Sequence, residues 1–149
     1  MGCQVYSSSR SRAKLAGMDD DSTLPPTLDR IQQLGEAAYR EIPETLRRRV
    51  TNVAIRVQDF AEEETLGEMD CDSPFDLLGL YRGISLGHQD GAGTPQDIDM
   101  IFLYRRPILD YWCETGEPLE RVVRHVLIHE IGHHFGLSDD DMAAIEAAA

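Results

Sequence analysis

The chain has 149 residues, the length of one ordinary domain, and its 42% hydrophobic and 28% charged content is typical of a globular protein. A formal net charge of -13 argues against a nucleic-acid partner, because phosphate binding needs a positive surface. No apolar run reaches the roughly 18 residues of a membrane span, and the N-terminus lacks the apolar segment of a secretory signal. We therefore expect no membrane partner and a cytoplasmic location.

The beginning of the chain divides into a tail and the start of a folded domain. Residues 1–26 are polar, end in "DDDSTLPP" and show no apolar periodicity, so we predict a disordered tail followed by one domain over residues 27–149. After the tail, apolar residues recur at intervals of three and four, which predicts a helix with Thr27 as its N-cap. Pro43 then opens a second short helix, "PETLRRRV".

The middle of the chain predicts a small sheet. "NVAIRVQDF" alternates apolar and polar residues, as a half-buried strand does, and "AEEETLGEMDCDS" is predicted to be an acidic loop. "LLGLYRGISL" indicates a hairpin of two short strands around Arg82 and Gly83. After the glycine-rich connection "GHQDGAGTPQ", the run "DIDMIFLYRRP" is the most strand-like in the chain, and we expect Pro107 to end it before a short helix, "ILDYWCE".

The last long element is predicted to be a helix from Pro118 to Phe135. Its apolar residues form one stripe at helical spacing. They are Leu119, Val122, Val123, Val126, Leu127 and Ile131. Gly136 supplies the residue that commonly ends a helix in the left-handed conformation, and "LSDDDMAAIEAAA" starts a short C-terminal helix. The order helix, strand, hairpin, strand, helix predicts an α+β fold in which helices back a small sheet.

Four of the five histidines lie within "HVLIHEIGHHFGLSDDD". All four belong to the helix predicted from Pro118 to Phe135, and the string continues into the residues just after it. His129 and His133 are about 40° apart around a helix axis and one turn apart along it, so both imidazoles can reach one zinc ion. Glu130 lies about 100° round from His129, where it can act as a general base on a water beside the ion. This HExxH arrangement makes zinc the expected cofactor.

A third metal ligand has to come from beyond the helix, because a regular helix cannot bring later residues to the same ion. Gly136 lets the chain turn back, and Asp139 then offers a carboxylate oxygen six residues after His133. The alternative is that Ser138 and the three aspartates after it cap the next helix. We assign the second and third of these aspartates to the cap and Asp139, by its spacing, to the metal.

The remaining histidines have less specific interpretations. His125 could form a rival pair with His129, but that pair lacks a base at the right place. We therefore interpret His125 as a surface residue or a hydrogen-bonding partner of the site. His134 falls inside the apolar stripe and is predicted to pack in the core, and His88 is expected to be exposed in a loop.

The string HExxHxxGxxD, which begins at His129 and ends at Asp139, resembles the metzincin-type zinc motif with aspartate as the third ligand, as in snapalysin-like peptidases. From about Leu28 onwards the chain is similar to a family of small bacterial zincin-like metallopeptidases, through "LLGLYRGISL", "IFLYRRPIL" and "HEIGHHFGLSDDD". The resemblance implies a minimal zincin-like domain with a small mixed sheet, a backing helix and an active-site helix near the C-terminus. It also implies a sheet edge that pairs with an extended substrate, for which "DMIFLYRRP" is the candidate.

The motif and the resemblance together favour zinc-dependent hydrolysis of a peptide or protein substrate. Glu130 would be the catalytic base, and the zinc ligands would be His129, His133 and Asp139. Metzincins have a methionine-containing turn beneath the metal, and Met142 follows Asp139 too closely for that part. Two alternatives stay open: a binding module that keeps the frame without hydrolysing anything, and a zinc amidase that acts on a non-peptide substrate. Nothing in the sequence indicates the oligomeric state.

Overall fold

The computed structural model describes residues 24–50, 52–86 and 96–148. His88 and all but the last three residues of the predicted tail lie outside these ranges. The described elements, in chain order, are α1 (Leu28–Glu41), α2 (Glu44–Arg47), β1 (Val53–Gln58), α3 (Glu63–Glu68), a 3-10 turn (Pro74–Asp76), β2 (Gly79–Leu86), β3 (Gln96–Tyr104), α4 (Arg105–Thr115), α5 (Leu119–His134) and α6 (Asp139–Ala148).

The three strands form one mixed sheet in the order β1-β3-β2. β1 runs parallel to β3, with Ile55 opposite Ile101, and β2 runs antiparallel to it, with Tyr81 opposite the same residue. The helix α1 packs on β1 and on α5, so it backs the sheet as a helix of the predicted fold should. The α+β class with a small mixed sheet is confirmed.

Two predictions about the strands are wrong. β3 is the central strand rather than the sheet edge expected for "DMIFLYRRP"; Ile101 and Leu103 are fully buried, and a continuous apolar run is typical of a strand covered on both faces. The hairpin around Arg82 and Gly83 does not exist either, because β2 continues through both residues along β3. Among the described strands, the edges are therefore β1 and β2.

The predicted starts of helices are correct for α1 and α2, whereas two other local predictions are wrong. The Thr27 hydroxyl accepts a hydrogen bond from the Arg30 amide at 3.1 Å, which confirms the predicted N-cap of α1, and α2 follows Pro43 as expected. The acidic loop prediction is wrong over α3, where Glu63 and Glu64 fall in a first helical turn and favour the helix through its dipole. Pro107 lies in the first turn of α4, where proline is tolerated, and not at the end of β3.

The helix α5 runs through the centre of the molecule and is buried on most of its sides. It contacts α1, α4, α6, β2 and β3, so Ile128 and Gly132 are buried as well as most of the predicted stripe. This wide burial is the reason that the apolar residues do not form a single narrow face. Within the described residues, no helix combines the length and the hydropathy that a membrane crossing requires.

The chain reverses direction after α5. Gly136 has φ +70°, which confirms the left-handed residue predicted there. The helix α6 begins after Ser138 and packs back along α5, with the fully buried Met142 against Gly132. A Cβ on Gly132 would lie 2.7 Å from Met142 Cγ, so only a glycine lets α6 approach α5 this closely. The reversal brings the last turns of α6 beside the histidines of α5.

Candidate metal centre

Three histidines follow one another along one face of α5. His125, His129 and His133 are spaced by four residues, which places successive rings about 40° apart around the axis. The ring centroids of His125 and His129 are 4.0 Å apart, and those of His129 and His133 are 5.7 Å apart. His129 is the middle of the row and is therefore within reach of an ion shared with either neighbour.

The helix α6 adds a carboxylate to this row. Glu146 lies one helical turn after Met142, and its Oε1 atom is 2.8 Å from His125 Nδ1 and 3.4 Å from His129 Nε2. One ligand atom from each of these three residues can be chosen so that all lie within 4.8 Å of one another. Two imidazoles and a carboxylate are a donor set that suits zinc. The geometry therefore supports a His-His-Glu group able to hold a metal ion.

The Glu146 carboxylate carries a further sign of a cation site. Its Oε1 atom is buried and, among the described residues, accepts no hydrogen bond, since neither histidine contact has hydrogen-bond geometry. A buried carboxylate oxygen without a donor is costly unless a cation compensates it. The residues therefore fit a divalent metal ion, whose charge would compensate this buried oxygen.

The histidine at the centre of the row is held in the form that binds metals. Burial lowers the pKa of His129, and the neighbouring His125 lowers it further, while Glu146 and Asp139 act in the opposite direction. The net lowering favours the neutral imidazole, which has a lone pair for a metal.

The predicted ligands are only partly brought together. His129 and His133 share one face of α5, and His133 is exposed at its end. Asp139 is the first residue of α6 and is exposed. The cap of α6 is formed by Ser138, whose Oγ accepts a hydrogen bond from Asp141 N at 3.1 Å, and Asp141 Oδ2 accepts in turn from Ser138 N at 3.2 Å and Ser138 Oγ at 2.8 Å. The Asp139 carboxylate is thus not needed for capping, and its ligation of zinc stays a prediction.

One residue of the His-His-Glu group was missed in the sequence. Glu146 is the only acidic residue in "MAAIEAAA", and it lies four positions after Met142, on the same face of α6. That spacing identifies a shared face, but the direction in which α6 packs along α5 decides whether the face meets His125. The sequence also offers His125 as a partner of His129, but the pair with His133 is favoured because only that pair has a base at the right place.

The predicted base, Glu130, lies on a different side of α5, against the sheet edge. The strand β2 passes close by at Gly79, where a Cβ would lie 3.2 Å from Glu130 Cγ and 2.8 Å from Val126 Cγ1. Burial among these atoms raises the pKa of Glu130 to about 7. A carboxylate with this pKa can accept and release a proton near neutral pH, as a general acid-base group must.

His134 lies one turn beyond Glu130 on the same side. The prediction that it packs in the core is wrong: the residue is exposed, and its ring stacks on Tyr81 of β2 at a centroid distance of 4.0 Å. The Tyr81 hydroxyl donates a 2.5 Å hydrogen bond to Asp99 Oδ2 on β3, which fixes the ring against which His134 lies. The predicted direction of His134 around the helix axis is correct, but no other described residues bury the side chain at the last turn of α5.

A cavity of about 560 Å³ opens beside the His-His-Glu group. Its lining includes His125 and Glu146 together with Arg121, Arg124 and Tyr111. Glu130 is not part of this lining. The cavity therefore gives access to the His-His-Glu group and not to Glu130.

The sequence of residues 50–149 matches the profile of a family described as Zincin-like metallopeptidase. The chain belongs to this zincin-like metallopeptidase family. The matched range contains all three strands, α5 and α6, whereas the backing helix α1 precedes it. The comparison with curated proteins gave no match for this zincin-like chain. The family resemblance inferred from the sequence is confirmed, and membership supports metallopeptidase chemistry without identifying a substrate.

Proposed function

We propose that this zincin-like chain is a zinc-dependent peptidase that uses Glu130 as its general base. The observation that carries the proposal is the position of Glu130: it directly follows the metal-facing His129, yet burial against β2 raises its pKa to about 7. A proton acceptor and a row of imidazoles thus lie on adjacent sides of one helix. This is the arrangement that water-mediated hydrolysis at a metal requires.

The proposed zinc ligands are His129, His133 and Asp139. The two histidines have neighbouring rings on α5, and the reversal at Gly136 leads the chain to Asp139 at the start of α6. When bound, zinc supplies a Lewis acid that acidifies water and polarises a carbonyl group. The spacing of Asp139, six residues after His133, supports its inclusion in the set.

Glu130 would accept a proton from the attacking water and pass it to the leaving amine. Its half-buried position limits contact with bulk water, which keeps the carboxyl group near its midpoint of titration at neutral pH. After the proton has been passed on, Glu130 returns to its starting form. The same residue therefore serves both halves of peptide-bond cleavage.

The edge strand β2 is the proposed docking surface for an extended peptide. It pairs with β3 on one side, and within the described part of the chain no strand covers the other side. Its first residue, Gly79, lies against Glu130, so a peptide added to this edge would pass the general base. Main-chain hydrogen bonds to such an edge bind peptides with little dependence on their sequence.

The test is Glu130→Gln, which keeps the size of the side chain and removes its basicity. We expect normal zinc content and a fall in peptide-cleavage rate of about 10²–10⁴-fold, the usual contribution of a general base. Glu120→Gln, an exposed residue in the first turn of α5, is the matched control and should cleave like the wild type. Full activity in Glu130→Gln would exclude this role of the residue.

A second candidate function is a metal-binding module without hydrolysis. It is favoured by the group of His125, His129 and Glu146, whose cavity does not include Glu130. An ion held there would be bound by His129 and His125, which lie about 100° and 140° around the axis of α5 from the proposed base. This function predicts stoichiometric zinc and no cleavage of any member of a peptide library by the wild type.

A further inference from the structure

Two sets of possible ligands, each drawn from α5 and α6, have one residue in common. The motif set consists of His129, His133 and Asp139, and the second set consists of His125, His129 and Glu146. We infer that the second set is an alternative divalent-cation site, which competes with the motif set for His129. The competition rests on the proposed function, whereas binding of a cation by the second set does not.

The second set has the properties of a site that is already assembled. Its ligand atoms lie within 4.8 Å of one another, and the two helices that carry them are fixed by the packing of Met142 on Gly132. The buried Glu146 Oε1 makes no hydrogen bond among the described residues and faces both imidazoles, so a cation held between them would satisfy it. Arg124 donates a 3.1 Å hydrogen bond to the Glu146 main-chain oxygen, which holds this turn of α6 in place.

Competition follows from the chemistry of imidazole. A neutral imidazole has one nitrogen with a free lone pair, because the other nitrogen carries the proton. His129 can therefore coordinate one ion at a time, and its Nε2 atom already faces Glu146 at 3.4 Å. An ion in the second set leaves the motif set with two ligands, fewer than the three protein ligands of catalytic zinc sites.

The consequence is an equilibrium between two positions of one ion. An ion in the motif set would be held by His129 and His133, which flank Glu130 in the chain, and an ion in the second set would border the cavity, which Glu130 does not line. Only the first position brings it to the proposed base. His125 and Glu146 would thus hold part of the zinc in an inactive position.

The experiment separates the two sets by mutation and measures zinc content after titration of the metal-free protein with zinc alone. The double variant His133→Ala/Asp139→Ala disables the motif set at two exposed positions. We expect it to bind one zinc ion, and we expect that ion to be lost when Glu146→Gln is added. His125→Asn added to the same background is a second route to the same result, should Glu146→Gln disturb α6. Far-UV circular dichroism of each variant checks that the helices remain.

The single variant Glu146→Gln tests the competition. It should retain one zinc ion, now in the motif set, and cleave peptides faster per bound zinc, by about twofold if the two sets are equally occupied in the wild type. Absence of zinc from a folded His133→Ala/Asp139→Ala protein would overturn the second site. An unchanged rate per bound zinc would overturn the competition. Zinc binding without cleavage in every variant would instead refute the proposed peptidase and leave the second site standing.

Discussion

The two sides of the last turns of α5 differ in what surrounds them. On the sheet side, Glu130 and His134 meet β2, where the contacts are close, largely apolar and fixed by the backbone at Gly79. On the α6 side, the row of histidines meets the carboxylate of Glu146. Burial on the first side raises the pKa of Glu130, and the second side offers imidazoles, with the pKa of His129 lowered, and a carboxylate to a cation. The proposed base and the neighbouring His129 of the histidine row are thus separated by about 100° of rotation around one helix.

The sharpest way to test this division is to remove a histidine from each side. His129 belongs to both ligand sets, so His129→Ala should lose stoichiometric zinc entirely, as measured by elemental analysis of the dialysed protein. His134→Ala is the matched control on the same helix, and because its ring stacks on Tyr81, away from the row, it should keep one zinc ion. Equal zinc loss in both variants would show that the two sides do not have separate roles.

The close approach on the sheet side can be tested at Gly79. In Gly79→Ala the new methyl group would lie 3.0 Å from the Phe102 main-chain oxygen and closer still to Val126, so we expect the free energy of unfolding to fall by about 1–3 kcal/mol. Cleavage should also fall, because β2 must move away from Glu130. Zinc content should not change.

The control for this substitution is Gly67→Ala in α3, where nothing lies within 4 Å of the added methyl group. There the higher helix propensity of alanine should stabilise the protein by up to about 1 kcal/mol. Urea denaturation followed by circular dichroism measures both variants. A Gly79→Ala protein as stable as the wild type would mean that β2 and α5 are not in tight contact.

A smaller effect is expected on the α6 side, at the cap that starts this helix. Ser138→Ala removes the acceptor of the Asp141 amide and the donor to Asp141 Oδ2, so we expect a loss of about 1 kcal/mol in unfolding free energy at neutral pH. Hydrogen bonds from Ser138 lower the pKa of Asp141, so their stabilising contribution is present above the unfolded pKa and is lost as the pH falls.

The difference in stability between Ser138→Ala and the wild type should therefore shrink below about pH 4. Thr27→Ala at the N-cap of α1 is the control, because that hydroxyl bonds to a main-chain amide and to no carboxylate. Its cost should be similar at neutral pH and should keep most of its size in acid. Thermal denaturation at several pH values distinguishes the two caps.

Features that depend on neighbouring residues could be predicted from the sequence. The helix α5 was predicted within one residue at each end, and the left-handed Gly136 and the Thr27 cap were predicted correctly. These outcomes are set by spacing, caps and backbone conformation within a few residues. The HExxH pattern likewise needs only a helix to bring His129 and His133 to one face.

Features that depend on distant pairing could not be predicted in the same way. The family resemblance implies that "DMIFLYRRP" is a sheet edge, and its apolar run does not by itself indicate that β1 and β2 flank it. Glu146 was not recognised, since only the packing direction of α6 brings it to His125. His134 was placed at the correct helix angle, but the neighbours available at that angle are decided by the sheet.

The most direct test of the proposed metal centre is a crystal structure of the zinc-loaded chain, with diffraction measured on both sides of the zinc absorption edge. We expect anomalous density at about 2.0–2.1 Å from a ring nitrogen of His129, divided between a position next to His133 and a position next to His125, with a total occupancy of one ion. The central claim is that His129 is the shared ligand around which the site is organised. A fully occupied zinc peak bound elsewhere, with the His129 ring free, would contradict it.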